Sequence, residues 1–497
     1  MINYKDMPKG TLHINLIQIF STVSYAVLMG TLMFYLNAYS DMSRTEVNTL
    51  TASFFAINFL YHFLGGTLGG RYLSFRALFL ISILLQVIGL SLLAIPTKMI
   101  ILFGMATFIT GAGLNVSCIN MMLTQLFSAT DKRRRIAFSI NYSCMNMGFV
   151  LGFIVAGYLQ RNNLYSAAFY FAAACLAIAF LFHIFAWRHL TDKKTHFASS
   201  FHKSPARFFI APAIIIACFA LALFLMYHPN IGSDLIYVVF FAVLITMIVF
   251  ALGQETEYRI RIFAYLILTS ACMIFACVQG MQSTALETFV EYNTSKSLFG
   301  IPMPAATVNM FESLGVIVFG FVLAMAMQKR QRHSTPYTPG YLVTKGLALY
   351  ILAFLMIPLG IFLAGGGTVG VIFPILLLLV VSYGEIHVNA VNYAMAGEMM
   401  KPEHQGLFTG YLFMNVAVGI NLAGPISNYA LGDNANAETL SAAQTNPMYM
   451  HIFLIMAAIA TVIAFIFFLL TRMINRMLDP NKEKQLEIEK SLVSELS

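Results

Sequence analysis

Residues 131–159 read DKRRRIAFSINYSCMNMGFVLGFIVAGYL, a cluster of basic residues followed at once by a largely apolar run. An apolar run of about twenty residues has the length that a helix needs to cross roughly 30 Å of hydrocarbon. Basic residues at the start of such a run favour the cytoplasmic side of the membrane. The stretch therefore predicts a membrane-spanning helix that begins in the cytoplasm.

The composition of the whole chain agrees with this stretch. Of 497 residues, 59% are hydrophobic and 10% are charged, against about 25% charged residues in an ordinary soluble domain. A soluble protein could not bury so much apolar surface, so the sequence predicts an all-α, polytopic membrane protein in a lipid bilayer. The net charge of +8 does not indicate nucleic acid, because the basic residues stand in short runs between apolar segments.

The cysteines and the N-terminus exclude other classes of protein. All six cysteines lie in apolar segments and none has metal-ligand spacing, which argues against a disulfide framework and against a metal site. We find no cofactor motif and expect no cofactor. The first apolar run ends without a small-residue cleavage site, so we expect it to be retained as the first span.

Apolar windows bounded by charge, proline and glycine predict fourteen spans. They lie near 12–37, 49–70, 73–95, 99–126, 136–160, 166–187, 208–228, 234–252, 260–289, 305–328, 341–364, 368–398, 403–429 and 449–475. With both termini in the cytoplasm, only Arg44, Lys98, Arg161 and Lys296 of the 29 lysines and arginines fall on the opposite side. The positive-inside rule then holds along the chain, and no lysine or arginine lies deep in a predicted span.

The longest polar stretch between spans, 188–207, is basic and divides six spans from eight. We therefore predict four parts. They are an N-terminal six-helix bundle at 1–187, a cytoplasmic linker with two inserted transmembrane helices at 188–259, a C-terminal six-helix bundle at 260–478, and a cytoplasmic tail at 479–497.

Two motifs in the N-terminal half resemble the proton-dependent oligopeptide transporter family. GGTLGGRYLSFR at 65–76 is similar to the family's Gly-Gly-x-x-x-Asp-Arg-x-x-x-x-Arg turn, with Arg71 and Arg76 kept and Gly70 where Asp is usual. The stretch at 131–159 resembles the family's fourth loop and fifth span. The matching residues there are Asp131, Arg133, Arg134, Phe138, Ser139, Tyr142, Asn146, Gly148, Gly157, Tyr158 and Leu159.

The C-terminal half continues the resemblance. FGIPMPAA at 299–306 resembles the entry to the eighth main span, and YGEIHVNAVNYAM at 383–395 resembles the tenth. GLFTGYLFMNVAVGINLAG at 406–424 resembles the eleventh. The resemblance implies a bacterial inner-membrane protein with the major facilitator fold, two six-helix bundles plus a two-helix insertion. It also implies a monomer that moves small peptides with protons by alternating access.

The sequence departs from the family where the family carries charge. The first span of the family has two acids and an arginine, and the aligned residues here are Gln18, Ser21 and Thr22. Val116 stands in place of the lysine of the fourth span, and Gln279 in place of the usual acid of the seventh. Without these cations we expect the preferred solute to be neutral or positively charged, and acidic dipeptides to bind poorly.

Two acids lie within predicted spans. An ionised side chain at the centre of a span costs about 2.5–3.5 kcal/mol, so we expect each acid to have a functional or structural role. The resemblance implies that Glu385 faces the cavity and binds the amino end of the substrate. Asn389 and Asn392 follow it on the same helical face, and Glu312 follows Asn309 by three residues. The alternative is that each acid only hydrogen bonds to a neighbouring helix.

The remaining candidate residues are polar side chains in or near spans. We assign substrate binding to Gln18, Ser21, Thr22, Tyr25, Asn146, Gln279, Gln282, Asn309, Glu385, Asn389 and Asn392, and proton coupling to Glu385, Glu312 and His62. The first four fall on one side of the first helix and should not face lipid. His62 suits either a proton relay or an interhelical hydrogen bond. Glu287, Glu291 and Glu398 lie near predicted span ends, where we expect solvated or capping roles.

The leading interpretation is a secondary active transporter, and not an enzyme, because no catalytic cluster lies near a membrane interface. Its partners would be a peptide or small-molecule substrate, protons and lipid. The alternative is an importer or exporter of a neutral or cationic amine-bearing metabolite on the same scaffold. A receptor or scaffold without transport is disfavoured by the polar residues of the predicted cavity.

Overall fold

The computed structural model describes residues 7–128, 131, 133–193, 195, 197–198, 207–332, 338–401, 404–431 and 441–478. The predicted tail at 479–497 lies outside these ranges. Most of the described residues are helical, and we number the helices α1 to α18 in chain order.

The first seven helices form the N bundle. They are α1 (Thr11–Met29), α2 (Leu32–Tyr39), α3 (Arg44–Leu68), α4 (Phe75–Leu93), α5 (Lys98–Gln125), α6 (Arg133–Arg161) and α7 (Tyr165–Ala186). α1 packs on α6 and α7, and α4 packs on α5 and α7. α1 and α2 are one predicted span interrupted at Gly30 and Thr31. α3 begins in a capping box, in which Ser43 and Glu46 satisfy each other's backbone N–H groups.

The last nine helices form the C bundle. They are α10 (Thr256–Ser270), α11 (Cys272–Met281), α12 (Ala285–Asn293), α13 (Ala305–Val308), α14 (Met310–Arg332), α15 (Pro339–Ala364), α16 (Ile372–Met399), α17 (Gln405–Leu431) and α18 (Ala442–Leu478). α10, α11 and α12 are one predicted span with two interruptions, and α13 and α14 are another. The inserted helices α8 (Arg207–Tyr227) and α9 (Pro229–Leu252) pack on the N bundle, and α9 also contacts α17.

Twelve helical segments within the described ranges are long and apolar enough to cross a membrane. Two further predicted spans fall on α3 and α16, which have 25 and 28 residues. The prediction of a polytopic helical membrane protein is confirmed, whereas the number of fourteen crossings stays a prediction.

Short strands connect the helices at one end of the molecule. β1 (Thr294–Ser295) pairs in parallel with β4 (Val369–Gly370), and β2 (Ser297–Leu298) pairs antiparallel with β3 (Ile301–Pro302). We call this end, with the loops at 40–43, 162–164, 294–304 and 365–371, the outer end. The opposite end, with residues 69–74, 126–128, 187–193 and 400–401, is the basic end.

The start of the predicted linker packs on the N bundle at the basic end. Asp192 accepts a hydrogen bond from the backbone N–H of Phe75 at 3.0 Å, and Phe197 N–H donates to the carbonyl of Gly70 at 2.7 Å. Burial raises the pKa of Asp192, although the hydrogen bonds from Phe75 N–H and the Thr195 hydroxyl and the charge of Arg76 partly oppose the shift. Arg76 donates to the carbonyl of Trp187 at 2.9 Å and stacks on its ring at 4.6 Å. The linker thus supplies a carboxylate beside the turn in which Gly70 replaces the expected Asp.

Candidate functional site

The two bundles are in close contact at the outer end. Gln160 of α6 donates to Glu291 of α12 at 3.2 Å and accepts from the backbone N–H of Ala306 at 3.2 Å. Next to this pair, Gly157 faces Thr307 so closely that a Cβ on residue 157 would stand 1.9 Å from the threonine Oγ1. No side chain fits at this crossing of α6 and α13, so glycine is required.

A second contact closes the same end between α3 and α17. Asn48 donates to Asn428 at 3.0 Å, and Asn428 donates to the Thr49 hydroxyl at 3.1 Å. Between these contacts, the Thr288 hydroxyl of α12 lies 3.6 Å from the sulfur of Met33 on α2. Four pairs of helices, α6–α12, α6–α13, α3–α17 and α2–α12, therefore hold the outer ends of the bundles together.

Below the outer end α3 still packs against α17, as far as the His62–Phe413 ring contact, whereas the bundles part beside Tyr142 of α6. The Tyr142 hydroxyl of α6 donates to Glu385 Oε1 of α16 at 3.5 Å, although Tyr142 is 45% exposed. Further exposed side chains follow toward the basic end of α5 and α6, namely Val116, Asn120, Ser139 and Ser143. Exposed polar groups at this depth are unfavourable in lipid, so they line a space between the bundles that opens toward the basic end.

The C bundle carries a buried polar cluster where α11 ends. Gln282 donates a short hydrogen bond to Glu312 Oε2, and Asn309 donates to the carbonyl of Gln282 at 3.1 Å. Glu312 is buried, and no described group is bonded to its Oε1. The breaks after Met281 and Val308 bring these three predicted site residues together.

The polar stripe of the first helix is also turned inward. Gln18 donates to the Thr22 hydroxyl at 3.1 Å, and Ser21 and Thr22 are buried. The Tyr25 hydroxyl accepts from Asn58 of α3 at 3.4 Å. The stripe therefore faces neighbouring helices and not lipid.

Other predicted site residues lie apart from the Tyr142–Glu385 contact. Asn392 is fully buried and donates to Cys272 Sγ at 2.9 Å, within the C bundle. His62 is 4% exposed and packs edge-on against Phe413.

The remaining predicted site residues are Asn146, Gln279 and Asn389. Asn146 is buried on α6 and donates to the carbonyl of Tyr142 at 3.0 Å, and Gln279 is partly exposed on α11. The side chain of Asn389 lies outside the described residues. Within those residues, no group of three His, Cys, Asp or Glu side chains could hold a metal ion.

The charges of the interior are acidic. Glu287 and Glu312 are buried, and no described lysine or arginine is. Lys345 was expected near the cytoplasmic end of the predicted span 341–364, and its amine reaches the Tyr383 hydroxyl at 3.1 Å from the second turn of α15. Tyr383 precedes Glu385 by two residues, about 200° around the helix. Lys345 therefore lies behind α16, away from the face that carries Glu385.

The structure corrects one expectation and adds one residue. Glu287 was expected to be solvated or capping, but it is 1% exposed because α12 packs against α17 and α18 of the C bundle on one side and against α2 and α6 of the N bundle on the other. Tyr142 matched a family motif without being assigned to the site. The signal that could have selected it is its place one turn before Asn146 on α6.

Comparisons with known proteins agree with this arrangement. The model of the POT family matches residues 75–441. The dipeptide and tripeptide permease A of Klebsiella pneumoniae (strain 342) is 24% identical over 482 residues, covering 96% of this chain and 94% of the permease. The protein of the same name from Escherichia coli (strain K12) is 24% identical over 483 residues, covering 96% and 94%.

Solved structures show the same fold. The peptide transporter POT in complex with sulfate superposes with a TM-score of 0.80 at 20% identity, covering 96% of this chain and 97% of that one. A POT family transporter in complex with 5-aminolevulinic acid gives a TM-score of 0.81 at 18% identity, covering 95% and 98%. The POT family model matches most of this chain, which is therefore an integral membrane protein that belongs to the POT family.

Proposed function

We propose that the protein is a secondary active transporter that carries di- and tripeptides or peptide-like solutes by alternating access, and that it is not an enzyme. The observation that carries the proposal is the Tyr142–Glu385 contact, which bridges the two bundles below their closed outer end, beside the exposed side chains of α5 and α6. A solute bound at this level is open to one side of the membrane only. The names of the permeases described above support the substrate class.

In this proposal Glu385 binds the amino group of the solute. A carboxylate beside a tyrosine hydroxyl can accept charge-assisted hydrogen bonds from an ammonium group. Gln18, Ser21, Thr22, Tyr25 and Asn146 supply neutral donors and acceptors from the N bundle. Gln279, Gln282, Asn309, Asn389 and Asn392 supply them from the C bundle.

The charges of the cavity bear on which peptides the protein would bind. A carboxylate that leaves water for a buried site loses several kcal/mol of hydration unless a cation compensates for it. Thr22 and Val116 are neutral, and the amine of Lys345 lies behind α16. We therefore expect neutral or basic peptides, or peptides with a blocked carboxyl group, to bind more tightly than acidic ones.

Proton coupling is assigned to Glu312, with Glu385 and His62 as the other candidates. Glu312 is buried against Gln282, so its protonation can change a hydrogen bond inside the C bundle without occupying the solute site. His62 is packed among aromatic rings, and no described group bonds to its Nδ1.

The orientation in the membrane is proposed from the distribution of lysines and arginines between the two ends. We propose that both termini and the linker are cytoplasmic, that the outer end faces the periplasm of a bacterial inner membrane, and that a monomer is sufficient. The 188–259 insertion then separates two six-helix bundles with the predicted boundaries. The alternative of a non-peptide amine carrier keeps the same site and differs only in the solute.

The test is a binding and counterflow series in proteoliposomes. Dipeptides that differ only in the charge of one side chain are compared with the same peptides amidated at the carboxyl end, and with free amines. Binding of neutral and basic dipeptides above free amines supports the proposal. Tighter binding of acidic dipeptides would overturn the charge preference, and binding of amines alone would favour the non-peptide carrier.

A further inference from the structure

Glu287 is a buried acid that the proposed transport mechanism does not use. It lies on α12 and is 1% exposed. No described group donates a hydrogen bond to either of its carboxylate oxygens. Glu312, the other buried acid among the described residues, at least accepts from Gln282. An ionised carboxylate without a partner is strongly unfavourable in such a place, whereas the neutral acid is much less so.

The position of Glu287 on its helix directs it to the bundle interface. Residues 287, 288 and 291 fall within about 100° around a helix with 3.6 residues per turn. Thr288 contacts Met33 and Glu291 contacts Gln160, both in the N bundle. The other side of α12 packs within the C bundle, where Asn293 donates to Thr445 at 2.6 Å. Glu287 thus lies on the face that the N bundle covers when the outer end is closed.

The charged groups around this face are already engaged. Glu291, one turn away, is paired with Lys296 and accepts from Gln160. Arg44, at the start of α3, stacks over Tyr292 at 5.7 Å. The other titratable side chains described on the elements that pack against α12 belong to both bundles. They are Cys272 and Cys277 on α11, Tyr411 and Tyr429 on α17, Tyr449, His451, Arg472 and Arg476 on α18, Tyr35 and Tyr39 on α2, and Arg133, Arg134, Tyr142, Cys144, Tyr158 and Arg161 on α6. Glu291, one turn along α12, places a like charge on the same face as Glu287, which opposes ionisation.

We propose that Glu287 is a proton-binding site of the outer gate, protonated while the bundles are closed there and deprotonated when they part. Parting of α12 from α2 and α6 exposes this face to water, where the ionised carboxylate is stable. Because the closed form binds the proton more tightly, linkage requires that protonation favours closure. The proposal rests on the proposed alternating access for its role, but its tests need neither substrate nor transport.

The first test measures the protonation state directly. Infrared spectra of the purified protein at neutral pH are compared between wild type and Glu287→Gln, with Glu291→Gln as the matched control one turn away. The wild type minus Glu287→Gln spectrum should show the band of a protonated carboxyl group. The Glu291→Gln difference should show ionised carboxylate bands instead. Carboxylate bands in the Glu287→Gln difference would overturn the proposal.

The second test measures the separation of the two bundles at the outer end as a function of pH. Spin labels at Arg161 and Ser297, exposed at the outer ends of the N and C bundles, report their separation in a background without the native cysteines. In the parent protein the separated population should grow as the pH rises. With Glu287→Gln the outer end should stay closed across the same range, and with Glu291→Gln the pH response should persist. An unchanged pH response in Glu287→Gln would sink the idea even if peptide transport is established.

Discussion

The hydroxyl of Tyr142 donates to Glu385 at 3.5 Å and so joins residues that lie 243 positions apart in opposite bundles. We expect an ammonium group of the solute to bind at this carboxylate. A hydrogen bond to a charged group contributes about 1.5–3 kcal/mol, so Glu385→Gln should weaken binding of amine-bearing solutes by roughly tenfold or more. Equilibrium binding to purified protein measures this effect.

Tyr142→Phe should weaken the same binding by about fivefold, because one neutral hydroxyl contributes about 1 kcal/mol. The matched control is Tyr383→Phe, which removes a hydroxyl from the opposite side of α16. Equal losses in the two tyrosine variants would contradict a specific role for Tyr142. A double-mutant cycle between residues 142 and 385 then measures their coupling.

Substitutions of Glu312 and of Glu385 should have different effects in transport assays. Glu312→Gln keeps the shape and the bond partner of the side chain but cannot exchange a proton. We expect it to retain peptide counterflow and to lose accumulation driven by a pH gradient, whereas Glu385→Gln should lose both. Gradient-driven uptake that survives in Glu312→Gln would remove this acid from the coupling mechanism.

Gly157→Ala tests the closed outer end. The added Cβ would overlap Thr307 Oγ1 at 1.9 Å and approach its backbone nitrogen at 2.9 Å, so α6 and α13 must separate. We expect greater labelling of a cysteine at Gln160 by an impermeant reagent from the outer side. Gly320→Ala, which meets nothing within 4 Å, is the control. Identical labelling in both variants would show that the contact does not limit opening.

The docking of Asp192 predicts a pH dependence of stability. Burial raises the pKa of this carboxyl group, so its ionised form is less favourable in the folded than in the unfolded protein. The stability of wild type relative to Asp192→Asn should therefore rise as the pH falls from above that raised pKa toward the ordinary value of aspartate. Thermal unfolding at several pH values measures the difference.

Asp192→Ala separates the hydrogen bond from the charge. Relative to Asp192→Asn, it removes the acceptor for Phe75 N–H at the start of α4 and should cost about 1 kcal/mol more at every pH, as the loss of a helix cap does. A constant difference between wild type and Asp192→Asn across the pH range would contradict the raised pKa.

Helix-forming segments and charge distribution were predictable because they depend on local sequence. Twelve of the predicted spans meet the length and composition of membrane helices, and both Glu312 and Gln282 were named as site residues. Their direct bond was not predictable, because it needs the break between α11 and α12, where the apolar window continues without a proline or charge to mark it.

The errors have the same origin. Glu287 was expected in solvent from its distance to a predicted span end, but its burial depends on helices that are remote in sequence, α17 and α18 on one side of α12 and α2 and α6 on the other. Tyr142 and Glu385 belong to opposite bundles, so their contact depends on how the bundles are arranged, and here the outer end is closed. A single sequence does not specify which conformation of a two-bundle protein is described.

Trp187 is the only tryptophan in the chain, and it lies where the linker begins, stacked on Arg76 at 4.6 Å and edge-on to His183 at 5.6 Å. All indole emission of the protein therefore comes from one point at the basic end. Undocking of 188–198 should change the exposure of this ring and its quenching by the neighbouring cation. The unlabelled protein thus contains an optical reporter of its own linker, which can be followed during turnover without any added dye.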